Sequence, residues 1–413
     1  MSSVEAKQTS GAQESTLFVS ADAHVVEPAD LWTSRLPQKF RDRALRLDHH
    51  GNFVDTILPG LVNVTSRKTK HIDGKYFDDT DTLESRQRDL DADGVWGEVI
   101  YPNYALALFM PDHEMCMAHA RVYNDYIVET FGQQLDRRAP VALIPLTDVD
   151  DAVAEIERVA KCGLRAINVP SMPPRPYSTD AYERVWAAAQ AQGMVVTIHV
   201  GTGFEAGKST IGEVFASMTG AHAGGIETPI ARRLIEYHGA QVAAERALIG
   251  LIGSGVMERY PRLHFVMVEF DAHWLSAMIA TMEQCFGPFT GADIEQEIGE
   301  YDHSRPEHDQ PRMNKIYAVK WPYPLRPGDY VRRQVHATFM HDPSALALRH
   351  VMGTEAILWG NDYPHNEGTW PNSRKVTQEL FAGIPASERA AILGGTTAKL
   401  FGLKPPLVAR AEL

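Results

Sequence analysis

A chain of 413 residues with 44% hydrophobic and 23% charged side chains has the balance of a folded globular protein, with apolar surface enough for one large core. Its formal net charge of −13 argues against a nucleic-acid partner, which calls for a basic stripe, and against docking on an anionic membrane. No apolar run approaches the roughly eighteen residues of a membrane helix. Three widely spaced cysteines, Cys116, Cys162 and Cys285, show no metal-ligand spacing and read as those of a reduced, cytoplasmic protein.

Residues 1–16 are small and polar, lack the basic start and apolar stretch of a signal peptide, and read as a flexible tail; 406–413 read as a second one. Between them, β-like runs alternate with helical stretches. LFVSADA (17–23) comes first. EVIYP (98–102) follows the helical TLESRQRDLDADG, and VALIPL (141–146) follows a long helix through RVYNDYIVETFGQQL. RAINV (165–169) follows DAVAEIERVAKCG, and MVVTIHV (194–200) follows YERVWAAAQAQG. LHFVMVE (263–269), a weaker QVHATFM (334–340) and AILWGND (356–362) complete the series, and PASERAAILGGTTAKLFG closes the chain as a helix.

Eight such units predict a parallel sheet closed into a (β/α)8 TIM-type barrel, an α/β fold in one domain over 17–405. Several strand runs are almost wholly apolar, as strands buried on both faces should be. Gly94, Gly163, Gly193 and Gly353 stand where left-handed helix caps belong. A doubly wound open sheet is the alternative, but neither GxGxxG nor GxxxxGK[ST] is present to support it. Insertions near 37–82, 201–226 and 286–333 break the repeat and have the length of lids or binding loops.

Ligand-type residues fall at strand ends. Asp22 and His24 end the first strand as DAH, His199 is in the fifth, Glu269 ends the sixth and Asp362 ends the eighth. In a barrel all five face one mouth. Residues two apart on a strand share a face, so Asp22 and His24 can approach one ion. Mixed imidazoles and carboxylates suit Zn, Mn or Fe, as one or two ions. Each residue also has a structural reading: a satisfied core His199, an Asx-turn at Asp362 before Pro364, a Glu269 paired with arginine. Their joint placement on separately assigned strands favours the site. Glu27, three residues past His24, could bind a second metal, orient His24 or favour a helix start. His365, three residues past Asp362, and His273 are further catalytic candidates, and His336 and His222 are weaker ones.

SADAHVVEPADLW, TIHVGTG, PRLHFVMVEFDAHW, HATFMHDP, WGNDYPHNEGTWPNS and GGTTAKLFGL follow in order from Leu17 to Leu403. This succession resembles the amidohydrolase-2 branch of the amidohydrolase superfamily. The resemblance implies a (β/α)8 barrel and a divalent metal. It matches Asp22 and His24 to the first-strand pair, His199 to the fifth-strand histidine and Asp362 to the last-strand aspartate. Known members include decarboxylases of aromatic or unsaturated acids, hydrolases and hydratases, often homodimers. Two departures stand out. The first-strand pair is D-x-H, where H-x-H or E-x-H is common. The sixth-strand H-x-G-G slot reads Glu269-Phe270-Asp271-Ala272-His273-Trp274, so either Glu269 or His273 takes the histidine's place.

The expected function is therefore that of a metal-dependent enzyme acting on a small organic acid, ester or amide with an aromatic or terpenoid body. Metal-activated water would serve hydrolysis, with Asp362 or Glu269 taking its proton and His365 or His273 steadying an oxyanion or leaving group. Metal-assisted decarboxylation needs an acid to protonate carbon. A non-haem di-iron oxygenase and a non-catalytic binding protein are the alternatives. Phe204, Trp274, Trp321, Tyr323 and Trp370 are candidate pocket aromatics, and Arg332 and Arg333 candidate carboxylate holders.

Overall fold

Short β-branched runs that are buried on both faces form the staves of one barrel. The computed structural model describes residues 16–60, 62–77, 82–109, 112–203, 228–286 and 321–406. Its strands are β1 (Val19–Val25), β2 (Arg46–His50), β3 (Phe53–Leu58), β4 (Val62–Arg67), β5 (Gly97–Pro102) and β6 (Arg138–Leu143). They continue with β7 (Ala166–Met172), β8 (Val195–Gly203), β9 (His264–Val268), β10 (Val335–Phe339) and β11 (Ile357–Trp359). β1 and β5 to β11 pair in parallel in that order. A parallel bridge between Ala23 and Tyr363 joins the last strand back to the first. The eight strands expected from sequence are thus present, with helices such as Leu83–Asp93, His113–Phe131 and Val149–Lys161 wrapped outside as a (β/α)8 barrel.

The core has two layers. Val19, Ala21, Val99, Val141, Ala166, Val195, Val266, Val268 and Leu358 fill the barrel, with Phe401 and Leu403 packed among them. Alternate residues of the same strands, including Ile100, Leu143, Ile167, Ile198, Phe265, Met267 and Trp359, pack outward against the helices. Side-chain caps fix where helices begin: Thr82 accepts from Ser85 N–H, and Asp148 accepts from the N–H groups of Asp150 and Asp151. Gly94, at φ 79° and ψ 21°, is the expected left-handed cap. Gly353 is not: its φ of 99° comes with an extended ψ of 132°, because the chain passes straight into the 3-10 turn Thr354–Ala356.

The 37–82 insertion holds an element absent from the sequence reading, the antiparallel sheet β2–β3–β4. The 286–333 insertion ends in a helix, Pro327–Gln334, that leads directly into β10. Residues 287–320 of that insertion, nearly all of 201–226 with Phe204 and His222, and most of both tails lie outside the described residues. No helix among the described residues is long and apolar enough to cross a membrane.

Candidate metal centre

A β-bulge turns the DAH sequence into the barrel. Val19 and Ala21 face the barrel core, and strict alternation would send Ala23 inward and Asp22 outward. Between Ser20 and Ala23 the register with β5 shifts by one residue, so Asp22 and His24 face the mouth and Ala23 packs outward. Ser20 holds the bulge: its hydroxyl donates to Asp22 O at 2.6 Å and accepts Asn361 N–H at 3.0 Å.

β9 and β11 end one to three residues sooner than the sequence predicts. Glu269 and Asp362 lie just beyond them in left-handed backbone, at φ 65° and 56°. Non-glycine residues seldom take this conformation, and where they do a functional site is often near. Here the turn brings both carboxylates over the barrel axis.

His24 Nε2 lies 3.2 Å from Asp362 Oδ1 and 3.6 Å from Asp22 Oδ1. His199 Nε2 is 3.3 Å from Glu269 Oε2 and 3.9 Å from Asp22 Oδ1. His365 Nδ1 is 2.9 Å from Asp362 Oδ1, and its ring stacks on His24 with centroids 4.1 Å apart. Backbone carbonyls set the tautomers. His24 Nδ1 donates to Pro102 O at 2.8 Å and His199 Nδ1 to Val200 O at 2.9 Å, so both present an Nε2 lone pair to the mouth. His365 has the opposite arrangement, with Nε2 against Asn103 Oδ1 at 2.9 Å. Thr338 spans two carboxylate residues: its hydroxyl donates to Asp22 Oδ2 at 3.4 Å and accepts Glu269 N–H at 2.9 Å.

The electrostatics call for a cation. Burial, then Asp362 and Glu269, push Asp22 well above the usual carboxyl range. Burial and Asp362 push Glu269 up to about 8. Burial would raise Asp362 as well, but His365 and His24 outweigh it and hold Asp362 well below the usual range. Burial and His24 lower His199 to about 3, so it stays a neutral ligand. Among the described residues no Lys or Arg pairs with Asp22, Glu269 or Asp362. Asp22 Oδ1, His24 Nε2, His199 Nε2 and both Asp362 oxygens are buried with no hydrogen-bond partner. Buried acceptors in that state cost about 1–3 kcal/mol each, more when charged. Asp22, His24 and His199 offer donor atoms within 4.8 Å of one another, and so do His24, Asp362 and His365. A divalent ion fits this donor set.

Two catalytic candidates stand elsewhere. Glu27 turns away from the cluster and accepts three backbone N–H groups, from Asn103, Tyr104 and Ala105 at 3.0–3.2 Å, which pins the loop after β5. Burial raises it to about 7 in spite of those bonds. His273 bonds Asp342 Oδ2 at 2.9 Å, so of the two residues considered for the sixth-strand slot, Glu269 is the one in the cluster. His336 sits deeper in the barrel against His264, and Arg332 and Arg333 bind Asp329, backbone carbonyls and Gln334. Trp321 and Tyr323 pack with Tyr330, and Trp370 packs on Tyr363.

The residues that do line the mouth include several the sequence did not single out. One cavity of about 520 Å³ has Asp22 and Glu269 on its floor and Val200, Tyr237, Phe270, Phe339 and Met340 in its walls. A second, also about 520 Å³, lies between the barrel and the β2–β4 sheet, with Arg67, Lys68, Asn103 and His365. Glu367 borders both. A further histidine-carboxylate set in WGNDYPHNEG was the signal available for Glu367, at two residues past His365.

Comparison with known proteins agrees with this architecture. An amidohydrolase of Mycobacterium avium subsp. paratuberculosis K-10 superposes with a TM-score of 0.69 at 19% identity, covering 94% of this chain and 99% of that one. A dihydroxybenzoic acid decarboxylase of Polaromonas sp. JS666, with bound manganese and the inhibitor 2-nitroresorcinol, gives 0.60 at 18% identity, covering 95% and 99%. A 5-carboxyvanillate decarboxylase of Novosphingobium aromaticivorans DSM 12444, with bound manganese, gives 0.59 at 14% identity, covering 95% and 99%. At these identities the likeness is one of fold. No curated protein matches the sequence. The amidohydrolase family model of the amidohydrolase-2 branch matches residues 48–403, from within β2 to just past the final helix, and the chain belongs to that family.

Proposed function

We propose that this chain is a metal-dependent enzyme that decarboxylates a small organic acid, with hydrolysis by metal-activated water as the related use of the same site. One observation carries the reading: Asp22, His24 and His199 aim buried, unpartnered donor atoms at one point of the barrel mouth, and Asp362 joins them beside His24, 3.2 Å from its Nε2. Bound there, a divalent ion such as Mn2+ would polarise a substrate carboxylate and its neighbouring oxygen, or acidify water. The chain's own groups supply the rest. Asp22, His24 and His199 would hold the ion, with Asp362 beside His24 as a further donor. Val200, Phe270, Phe339 and Met340 form an apolar wall that receives the substrate body and excludes water from it. His365 carries a movable proton at Nδ1, beside Asp362 Oδ1. This place, at the edge of the ion site and 2.9 Å from Asp362, suits an acid that protonates carbon or a leaving group. The decarboxylases of like fold act on hydroxylated aromatic acids, which supports that substrate class.

A second reading, a di-iron oxygenase, is favoured by the number of carboxylates at the mouth. Elemental analysis of the purified chain, with CO2 release and O2 uptake measured on a panel of hydroxybenzoates and their methyl esters, separates the readings. CO2 release with Mn-loaded protein and no O2 uptake is expected; uptake of O2 by iron-loaded protein selects the oxygenase. A His199→Ala variant that keeps full metal content and activity would overturn the metal centre itself.

A further inference from the structure

We propose that Gln241 and Asp271 select the substrate by accepting hydrogen bonds from a hydroxyl or amino group on its body, and that His273 acts through Gln241 as a positioning residue. This rests on the reading of the barrel mouth as a metal-dependent site for a small organic acid.

Both residues line the cavity that has Asp22 and Glu269 on its floor, beside the apolar Val200, Phe270, Phe339 and Met340. Gln241 comes from the helix Pro229–Gly253, and Asp271 from the turn that follows β9. An acid held at the ion by its carboxylate would lay its body against this wall. A largely apolar cavity takes its specificity from the few polar groups set in it.

The amide nitrogen of Gln241 is already spent. It lies 3.4 Å from Phe270 O and 3.4 Å from His273 Nε2. A carbonyl can only accept, so the nitrogen and not the oxygen of the amide faces this pair. The histidine tautomer agrees. Asp342 Oδ2 accepts His273 Nδ1–H at 2.9 Å, and also the backbone N–H groups of Ala272 and His273 at 3.0 and 2.9 Å. With its proton on Nδ1, His273 presents a lone pair at Nε2 to Gln241. Asp342 is itself buried and caps the helix Pro343–Met352 through Ala345 N–H. The series Asp342, His273, Gln241 leaves one group over: Gln241 Oε1, which has no partner among the described residues.

Asp271 supplies a second acceptor on an independent ground. Its backbone is left-handed, at φ 57°, two residues after Glu269 takes the same conformation. Non-glycine residues seldom stand so, and where they do a function is often close by. The turn is pinned without help from the Asp271 side chain. Trp274 Nε1 donates to Asp271 O at 2.9 Å, and Phe270 and Ala272 on either side are buried. No described residue gives the Asp271 carboxylate a hydrogen bond. Gln241 and Asp271 thus offer acceptors and no free donor. The group that satisfies them is a hydroxyl or an amine, whereas a second carboxylate on the substrate would meet repulsion and no donor.

The test uses the full chain loaded with Mn2+. The probes are meta- and para-hydroxybenzoate and the matching aminobenzoates, each against the toluate of the same pattern. Methyl, hydroxyl and amino groups are close in size, so each pair differs mainly in the donor. Equilibrium dialysis should show at least one hydroxy or amino acid bound about tenfold tighter than its toluate, the worth of a hydrogen bond to a charged group. Gln241→Leu combined with Asp271→Gly, a residue at ease in left-handed backbone, should bring that ratio close to one at unchanged Mn2+ content. His273→Leu should lower the ratio, whereas damage to the fold would weaken both acids of a pair alike. Ratios near one for every pair in the unaltered protein, or a ratio kept in the double variant, would overturn the subsite and leave the metal centre standing. A ratio unchanged in His273→Leu would overturn the positioning role. Mn2+-loaded protein that binds none of these acids, toluates included, would overturn the substrate reading and the subsite with it.

Discussion

The backbone N–H of Asp362 donates to the carbonyl oxygen of Asp22 at 2.9 Å, so the first and last strands of the barrel are tied together at the two residues whose carboxylates meet. The approach is close because residue 360 is glycine. A Cβ at Gly360 would lie 2.6 Å from Asp22 Cβ. Gly360→Ala should therefore push β1 away from β11 and cost about 1–3 kcal/mol, as overpacking does. Metal affinity should fall with it. Denaturant unfolding and a metal titration read the two effects; an unchanged midpoint together with unchanged affinity would mean the seam has more slack than this distance allows.

Thr338 holds Asp22 by its hydroxyl and takes the N–H of Glu269. Thr338→Val keeps the shape and removes both bonds. Outer partners of metal ligands are worth about 10–100-fold in affinity, so Mn2+ should bind at least tenfold more weakly while the fold survives. Calorimetric titration against the parent protein checks this, and equal affinities would remove Thr338 from the site's support.

Beneath the mouth, Arg86 makes two charge-assisted bonds to Glu98, at 2.9 and 2.6 Å, and a third to His24 O at 2.7 Å. Arg138 adds a bond to the same glutamate at 2.9 Å. All three side chains are buried. Arg86→Met strands one bond set of Glu98 and frees the His24 carbonyl, and loss of one partner of such a pair typically costs about 3–5 kcal/mol. The paired change Arg86→Met, Glu98→Leu should recover none of that, because it leaves buried Arg138 without its carboxylate. A double variant more stable than the single one would mean that Gln134 and Gln87 satisfy Arg138 without Glu98.

Two histidines remote from the metal centre make stability depend on pH. Burial lowers His119 to about 4, and burial with His264 lowers His336 to about 4. Their unfolded value is about 6.5, so between these pH values the unfolded chain binds more protons than the folded one. Stability from these groups is complete above about pH 6.5 and is lost as pH falls toward about 4, by up to about 3 kcal/mol each. Urea unfolding of metal-free protein from pH 4.5 to 7.5 should show that slope. His119→Gln and His336→Gln should each flatten it, and a slope that neither variant changes would assign the acid sensitivity elsewhere.

Much of this could be read from the chain itself. Strand and helix periodicities are local properties, so all eight staves and the parallel class could be assigned without coordinates. The metal-type residues were also legible, because their strand-end positions place them at one rim in any closed barrel. Glu269 was visible as a departure, a carboxylate where a histidine is usual.

Other features depended on contacts between distant segments. Asp22 and His24 point inward only because Ser20 and Asn361 hold a bulge, and a strict period of two would have sent them outward. Glu27 and His273 looked equally suited to catalysis in sequence. Their fates were set by the N–H groups of residues 103–105 and by Asp342, partners that no local pattern reveals. The sheet β2–β4 and the position of Glu367 between two cavities arise in the same way. Periodicity records which face of an element is apolar, whereas the direction of a polar side chain is decided by whichever donor or acceptor the folded chain brings within about 3 Å of it.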